Sequence, residues 1–399
     1  MRKLFIFQLL IFSIAFSCAA QLKVLPFSDY LQVRNGLNHA YRQIEYNKKA
    51  TVAFLGGSIT FNEGWRNMVC DYLRKQYPDA RFQFIAAGIP SLGSLPHAFR
   101  FQQDVLDSGK VDLLFLEAAV NDQVNGTDSI TQVRALEGII RHAKANNPKV
   151  DIIMMSFADP DKTNQYNQGR TPLSVANHEK IAAYYGLPSI NLAKAVRDKL
   201  QNKEFDWNRD FVDLHPSPFG QKLYFEAIKT LLTESHKINL KKSRKKNSHN
   251  LPVPLDQSNF SRGSYYSINK ANLDGDWKLI QSWKPTDQLG TRNKFVNIPL
   301  LESSSPGATL TLDFKGTAIG MAVVSGGDAG MVKYRIDNGP EKQIDLFTSW
   351  SNSLHLPWYV LFAAGLKNDQ HTLTLSIADE NKPESKGHAC RIVNFLLNK

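Results

Sequence analysis

The chain has 399 residues, 42% hydrophobic and 21% charged, which excludes a disordered, collagen-like or disulfide-framework protein and leaves room for two or three domains. Three scattered cysteines, Cys18, Cys70 and Cys390, argue against a stapled scaffold or a thiolate metal site, and no cofactor motif is apparent. The net charge of +11 is local: Lys237, Lys241, Lys242, Arg244, Lys245 and Lys246 supply six units and Arg2 and Lys3 two more, and no aromatic residues interleave with the basic run as a nucleic-acid platform requires.

Arg2 and Lys3 precede an apolar run from Leu4 to Phe16, too short to span a bilayer but suited to a secretory leader. Cleavage after Ala20 makes residues 1–20 a signal peptide, whereas Ala15-Phe16-Ser17-Cys18 reads as a bacterial lipobox with Cys18 as the lipidated residue. Both readings predict export to the periplasm, the outer membrane or the medium, with the membrane engaged only through that anchor. Cys70 and Cys390 are then read as small buried residues rather than as a bridge.

From residue 51 short β-branched runs alternate with helical periods. Strands are expected over Thr51–Leu55, Phe82–Ala86, Val111–Leu116, Val150–Met155 and Pro188–Leu192. Trp65, Met68, Val69, Tyr72 and Leu73 form one apolar helical stripe. A second helix is expected from Ser129 to Asn147 with Ile130, Val133, Ile140 and Ala143 inward, and a last one from Pro218 to about Ser235. Five strand–helix units predict a doubly wound parallel α/β domain over residues 21–235, with ligands bound beyond the carboxyl ends of the strands.

A basic linker is expected over 236–252, and the texture then changes. Ala308–Phe314, Met331–Asp337, His371–Ile377 and Arg391–Leu396 alternate at period two, separated by turns such as Asp337-Asn338-Gly339-Pro340 and Ser325-Gly326-Gly327-Asp328. Residues 253–399 are therefore expected to form an antiparallel β-sandwich. Its aromatics Trp277, Trp283, Trp350, Trp358 and Tyr359 suit either a core or a set of flat faces for sugar rings.

Three loops carry chemistry. Gly56-Gly57-Ser58-Ile59-Thr60 presents a serine on a glycine-rich turn after the first strand; alone it suits a nucleophile or a phosphate cradle equally. Glu117-Ala118-Ala119-Val120-Asn121-Asp122 follows the third strand and offers a carboxamide as an oxyanion donor, or simply a helix cap. Asp210-Phe211-Val212-Asp213-Leu214-His215-Pro216-Ser217-Pro218 sets a histidine beside acids at a proline-stiffened helix entry, where it can serve a serine as general base.

The order and spacing of these blocks resemble the SGNH hydrolases, also called GDSL esterases, over about residues 50–235. That resemblance implies a serine ester hydrolase with Ser58 as nucleophile, His215 as base, and the Ser58 N–H and Asn121 side chain in the oxyanion hole. Gly57 stands where the family usually has aspartate, and Ala119 where it has glycine. The second block, Ala86 to Ser94, has lost the family spacing, so its oxyanion N–H can come from Ser91 or from Gly93. Val212 occupies the usual place of the acid, three before the histidine. Asp213 is therefore preferred as orienter and Asp210 ranked second, because bulky Phe211 and Val212 disfavour the tight turn that Asp210 would need. The expected activity is removal of acyl groups, acetyl first, from a poly- or oligosaccharide. A lipase or aryl-esterase of the same fold and a non-catalytic polysaccharide-binding protein are the alternatives.

Overall fold

The computed structural model describes residues 23–241 and 251–399; the leader, Cys18 and the basic residues 242–246 lie outside them. The N-terminal strands are β1 (Leu31–Gln32), β2 (Lys49–Gly56), β3 (Arg81–Gly88), β4 (Leu113–Glu117), β5 (Asp151–Ser156) and β6 (Ser189–Asn191). Helices α1 (Asn38–Glu45), α2 (Ser58–Phe61), α3 (Trp65–Gln76), α4 (Ser94–Asp104), α5 (Ala119–Val124), α6 (Ser129–Asn146), α7 (Pro160–Asn167), α8 (Leu173–Tyr185), α9 (Leu192–Gln201) and α10 (Pro218–Lys241) connect and follow them.

Strand order is β1-β6-β5-β4-β2-β3, parallel from β6 to β3 and antiparallel only at β1. Among its parallel strands this is the doubly wound order with the first crossover reversed, so a switch point opens beside the carboxyl end of β2. Alternate residues divide between the two faces. Ala53, Leu55, Leu114, Leu116, Ile152 and Met154 join one core, while Val52, Phe54, Leu113, Phe115, Ile153 and Met155 join the other. Such double burial makes these strands near-continuous apolar runs in sequence. Ile130, expected inward, is 60% exposed, and α10 runs past the expected end near Ser235.

The C-terminal strands are β7 (Gly263–Tyr266), β8 (Asn272–Asp274), β9 (Lys278–Trp283), β10 (Gly290–Thr291), β11 (Ile298–Ser303), β12 (Thr309–Ser325), β13 (Met331–Ile336), β14 (Lys342–Asp345), β15 (Leu354–Ile377) and β16 (Cys390–Asn398). They form a large antiparallel β domain in which the long pair β12 and β15 runs through two bulges; β10 alone pairs parallel, with β15. In the first half of β12, Leu310, Leu312 and Phe314 point to the domain's own core. In the second half both faces are buried: Ile319, Met321 and Val323 stay in that core, whereas Ala318, Ala322 and Val324 join the core of the α/β domain.

The two domains therefore share apolar interior. Helix α4 lies within it, with Ser94 to Phe101 all buried, and the Phe99 ring lies tilted against Phe260 with centroids 5.2 Å apart. A Cβ on Gly138 of α6 would lie 2.6 Å from the Phe260 backbone, so glycine is what admits the incoming segment. Glu137 then accepts from the Leu255 and Asp256 N–H groups at 2.7 and 2.9 Å. Each buried aromatic stripped of its cover costs about 2 kcal/mol. Deleting residues 253–399 is accordingly expected to yield insoluble or molten protein, read by near-ultraviolet circular dichroism and sedimentation. A cooperative, monomeric truncation would contradict the shared core.

Candidate active site

Strand β2 delivers Ser58 to the first position of α2, where its N–H has no intrahelical acceptor. A Cβ on Gly57 would lie 2.2 Å from Asn121 Oδ1. The absence of a side chain at Gly57 thus lets the Asn121 carboxamide, 8% exposed on α5, close directly on the Ser58 loop. The Leu92 carbonyl lies 3.4 Å from the same point, so the loop after β3 closes the third side.

His215 reaches this crevice from the segment before α10, with Nε2 2.8 Å from Ser58 Oγ. The helix start that follows it is tied down. Gln221 Oε1 accepts from the Trp65 N–H at 3.1 Å, the Tyr224 hydroxyl accepts from the Ala158 N–H at 3.0 Å, and Ser217 accepts backbone donors from Phe219 and Gly220 at the helix start.

The two acids have different employment. Asp210 takes two bonds from Arg209, at 2.8 and 2.6 Å, and one from the Asp206 N–H at 2.8 Å; these hold its carboxyl down at about 2. Asp213 faces the imidazole, with Oδ2 3.7 Å from His215 Nδ1. The segment between them does make a tight turn, against the expectation from bulk. Val212 has φ 78° and ψ −58°, and the Asp213 N–H donates to the Phe211 carbonyl at 3.1 Å, a γ-turn that a β-branched residue adopts only under strain. That turn carries Asp213, rather than Asp210, toward the histidine.

Ser91 and Gly93 flank the remaining approach. Neither N–H donates to an acceptor among the described residues. Ser91 is left-handed, φ 70°, and its carbonyl accepts from Asn125 Nδ2 at 3.0 Å. Beyond Gly93, Asp122 Oδ1 accepts from the Ser94 N–H at 2.7 Å and its hydroxyl at 2.9 Å.

Beneath the crevice lies a buried polar layer that the sequence reading missed. Arg100, fully buried, donates to the Gly56 and Ala87 carbonyls at 3.2 and 2.6 Å and to Asp104 at 2.6 Å, pinning the ends of β2 and β3 together. Lys162 is buried against Asp159. The one signal for Arg100 is a charge inside the apolar run Ala98–Phe101. Burial pushes Glu117 and Asp122 up to about 7, for Asp122 against the pull of the Ser94 donors.

Between the ordinary carboxylate value of 3.8 and about 7 the native Asp122 keeps its proton while the unfolded chain loses it. Its contribution is thus full below 3.8 and lost as pH rises toward 7. Asp122→Asn removes this linkage, so the melting-temperature difference, variant minus wild type, is expected to grow from about pH 4 to about pH 7.5. A pH-independent difference would contradict the buried carboxyl.

Among the described residues no group of three His, Cys, Asp or Glu side chains forms a metal site. Cys70 and Cys390 are free thiols, and burial pushes Cys70 up to about 11. Of the five candidate sugar-stacking aromatics, Trp277, Trp283 and Tyr359 are buried and Trp358 is half-buried, which leaves Trp350, 48% exposed, with an open face. No helix among the described residues is long and apolar enough to cross a membrane.

A doubly wound sheet with a serine and a histidine in hydrogen-bond contact beyond its strand ends is the arrangement that a serine hydrolase uses. Residues 54–223 match the model of the GDSL-like lipase/acylhydrolase family. The whole chain shares its two-domain fold with crystal structures of a two-domain esterase (CEX) active on acetylated mannans. The likeness has TM-score 0.74 at 18% identity and covers 94% of this chain and 98% of that one. The same esterase co-crystallized with mannopentaose gives 0.73 with the same identity and coverage. An acetylxylan esterase from Geobacillus stearothermophilus overlaps 46% of this chain and 94% of its own, with 18% identity and TM-score 0.38. No curated protein sequence matches the chain.

Proposed function

We propose that the protein is an exported esterase that removes O-acetyl groups from a poly- or oligosaccharide. The observation that carries the reading is the 2.8 Å contact between Ser58 Oγ and His215 Nε2 at the strand-end crevice. His215 takes the Ser58 proton as Oγ attacks the ester carbonyl. The oxyanion is met by the Ser58 N–H, the Asn121 carboxamide and an N–H of Ser91 or Gly93. Collapse expels the sugar hydroxyl, protonated by His215, and leaves an acetyl ester on Ser58. Water, deprotonated by His215, then releases acetate and restores the serine. Asp213 holds the imidazole with Nε2 toward Ser58 and offsets its charge once protonated.

The carbohydrate substrate draws support from the shared architecture with an esterase active on acetylated mannans and from the open face of Trp350. Export rests on the leader read in residues 1–20. A second reading, an esterase for longer or aromatic acyl esters, is favoured by the exposed Phe61, Val212 and Phe219, which lie near Ser58 and His215 in sequence. Hydrolysis of 4-nitrophenyl acetate, butyrate and octanoate separates the two. The proposal expects kcat/KM to fall with chain length, and a rise would move the protein to the second reading.

Asp213→Asn is expected to lower kcat by roughly 10²- to 10⁴-fold by favouring the wrong imidazole tautomer. Asp210→Asn should cost far less, because its carboxylate is spent on Arg209 and Asp206. Steady-state kinetics of both variants at one pH decide the assignment, and a larger loss at Asp210 would reverse it.

A further inference from the structure

The loop placed above beside the oxyanion is gripped from the other domain. Ser91 Oγ accepts from Arg292 Nη2 at 3.2 Å, across 201 residues of chain. Arg292 follows β10, which pairs with Leu354 and His355 of β15, and its own N–H donates to the His355 carbonyl at 3.4 Å. On its other side its carbonyl accepts from the N–H of Phe295, a residue buried in the shared core. Both flanks of Arg292 are therefore fixed, one to the β domain and one to the interface.

The guanidinium itself has no ionic partner among the described residues, and its Nε is buried with no acceptor. Burial also draws its pKa below the usual arginine value. Arg292 is half-buried, whereas the two arginines that are buried among the described residues are compensated: Arg100 has Asp104, and Arg391 has Glu302 and Asp328. A charge left partly desolvated and unneutralised is a cost to folding, and here it stands at the loop where negative charge develops during the reaction. Ser91 adds a second cost, since its left-handed backbone is one that serine seldom adopts. Arg292 on its hydroxyl and Asn125 on its carbonyl together hold that conformation, in which the Ser91 N–H is left without a protein acceptor.

We propose that Arg292 is a positioning residue of the esterase site, which fixes Ser91 as oxyanion donor and sets an unneutralised positive charge behind it. The β domain thereby acts on the chemical step itself, apart from any contact with the sugar. This inference rests on the ester-hydrolase reading. Because the oxyanion exists only in the transition state and the tetrahedral intermediate, the effect belongs in kcat and not in KM.

The test uses the full chain and 4-nitrophenyl acetate, a substrate without a sugar, with Arg292→Gln, Ser91→Ala, the double variant and Ser58→Ala. Arg292→Gln is expected to lower kcat roughly 10-fold with KM within about twofold of wild type. Ser91→Ala removes the same bond from the other side, so it carries the test even if the arginine variant folds poorly; it should lose a similar factor. The double variant should be no slower than the worse single one. Unchanged kcat on this ester with a raised KM on acetylated glycan would make Arg292 a sugar contact and overturn the proposal. Losses that multiply in the double variant would do so too, because Arg292 would not act through Ser91. An inert Ser58→Ala beside a fully active Arg292→Gln overturns the proposal alone, whereas an active Ser58→Ala takes the esterase site down with it.

Discussion

Ser58→Ala is expected to reduce ester hydrolysis by at least about 10³-fold, to the level left by oxyanion stabilisation and binding alone. The hydroxyl's one side-chain hydrogen bond among the described residues is with His215, and Ser58 belongs to neither apolar core, so its removal opens no cavity there. Folding should be untouched, and the variant should still bind substrate. Residual turnover above roughly one part in a thousand, in protein free of wild type, would mean that another group attacks the carbonyl. Ser91, Ser94 and Thr60 also carry hydroxyls in the crevice loops, yet Thr60 is buried, the Ser94 hydroxyl is bonded to Asp122 and the Ser91 hydroxyl to Arg292.

His215→Ala is expected to be about as damaging as loss of the serine, because a serine hydroxyl without a base is a weak nucleophile at neutral pH. The two changes should not compound: a Ser58→Ala, His215→Ala double variant is expected to match the worse single one, since both side chains serve one event. His215 is well exposed beside Ser58, so truncation costs little packing and the melting temperature should hold. Single-turnover kinetics sharpen the result. With His215 absent, both formation and hydrolysis of the acetyl-enzyme should slow, because the same imidazole acts in each half-reaction. If the double variant were slower than either single one by the product of their losses, the two residues would act independently and the pair would not be a nucleophile and its base.

The parts of the fold that the sequence exposes are those with one dominant pattern. β2, β4 and β5 read as strands because double burial makes them unbroken apolar runs, and α3 reads as a helix because only one face of it is buried, at Trp65, Val69 and Leu73. Helix α4 has no such stripe. It is buried on all sides between two domains, so Ser94, His97 and Arg100 sit among apolar residues and the periodicity vanishes. The second half of β12 fails for the same reason: an alternating strand becomes apolar on both faces once another domain covers its outer side.

At the site, Ser58, Asn121 and His215 are legible because each sits in a short motif after a recognisable strand or before a recognisable helix. Two features are not. A γ-turn centred on valine contradicts local propensity, so only the surrounding tertiary structure specifies it. The Arg292 contact to Ser91 depends on how two domains dock, and nothing within ten residues of either side chain announces it.

Acetate release from acetylated mannan, acetylated xylan and acetylated oligosaccharides, measured enzymatically with wild-type protein and Ser58→Ala side by side, decides whether Ser58 removes acetyl groups from carbohydrate. Steady acetate release from at least one glycan by the wild type, at a kcat/KM above that for 4-nitrophenyl octanoate, and none from the variant, is the expected result. Binding of the glycans without acetate release, or hydrolysis confined to long-chain acyl esters, would contradict it.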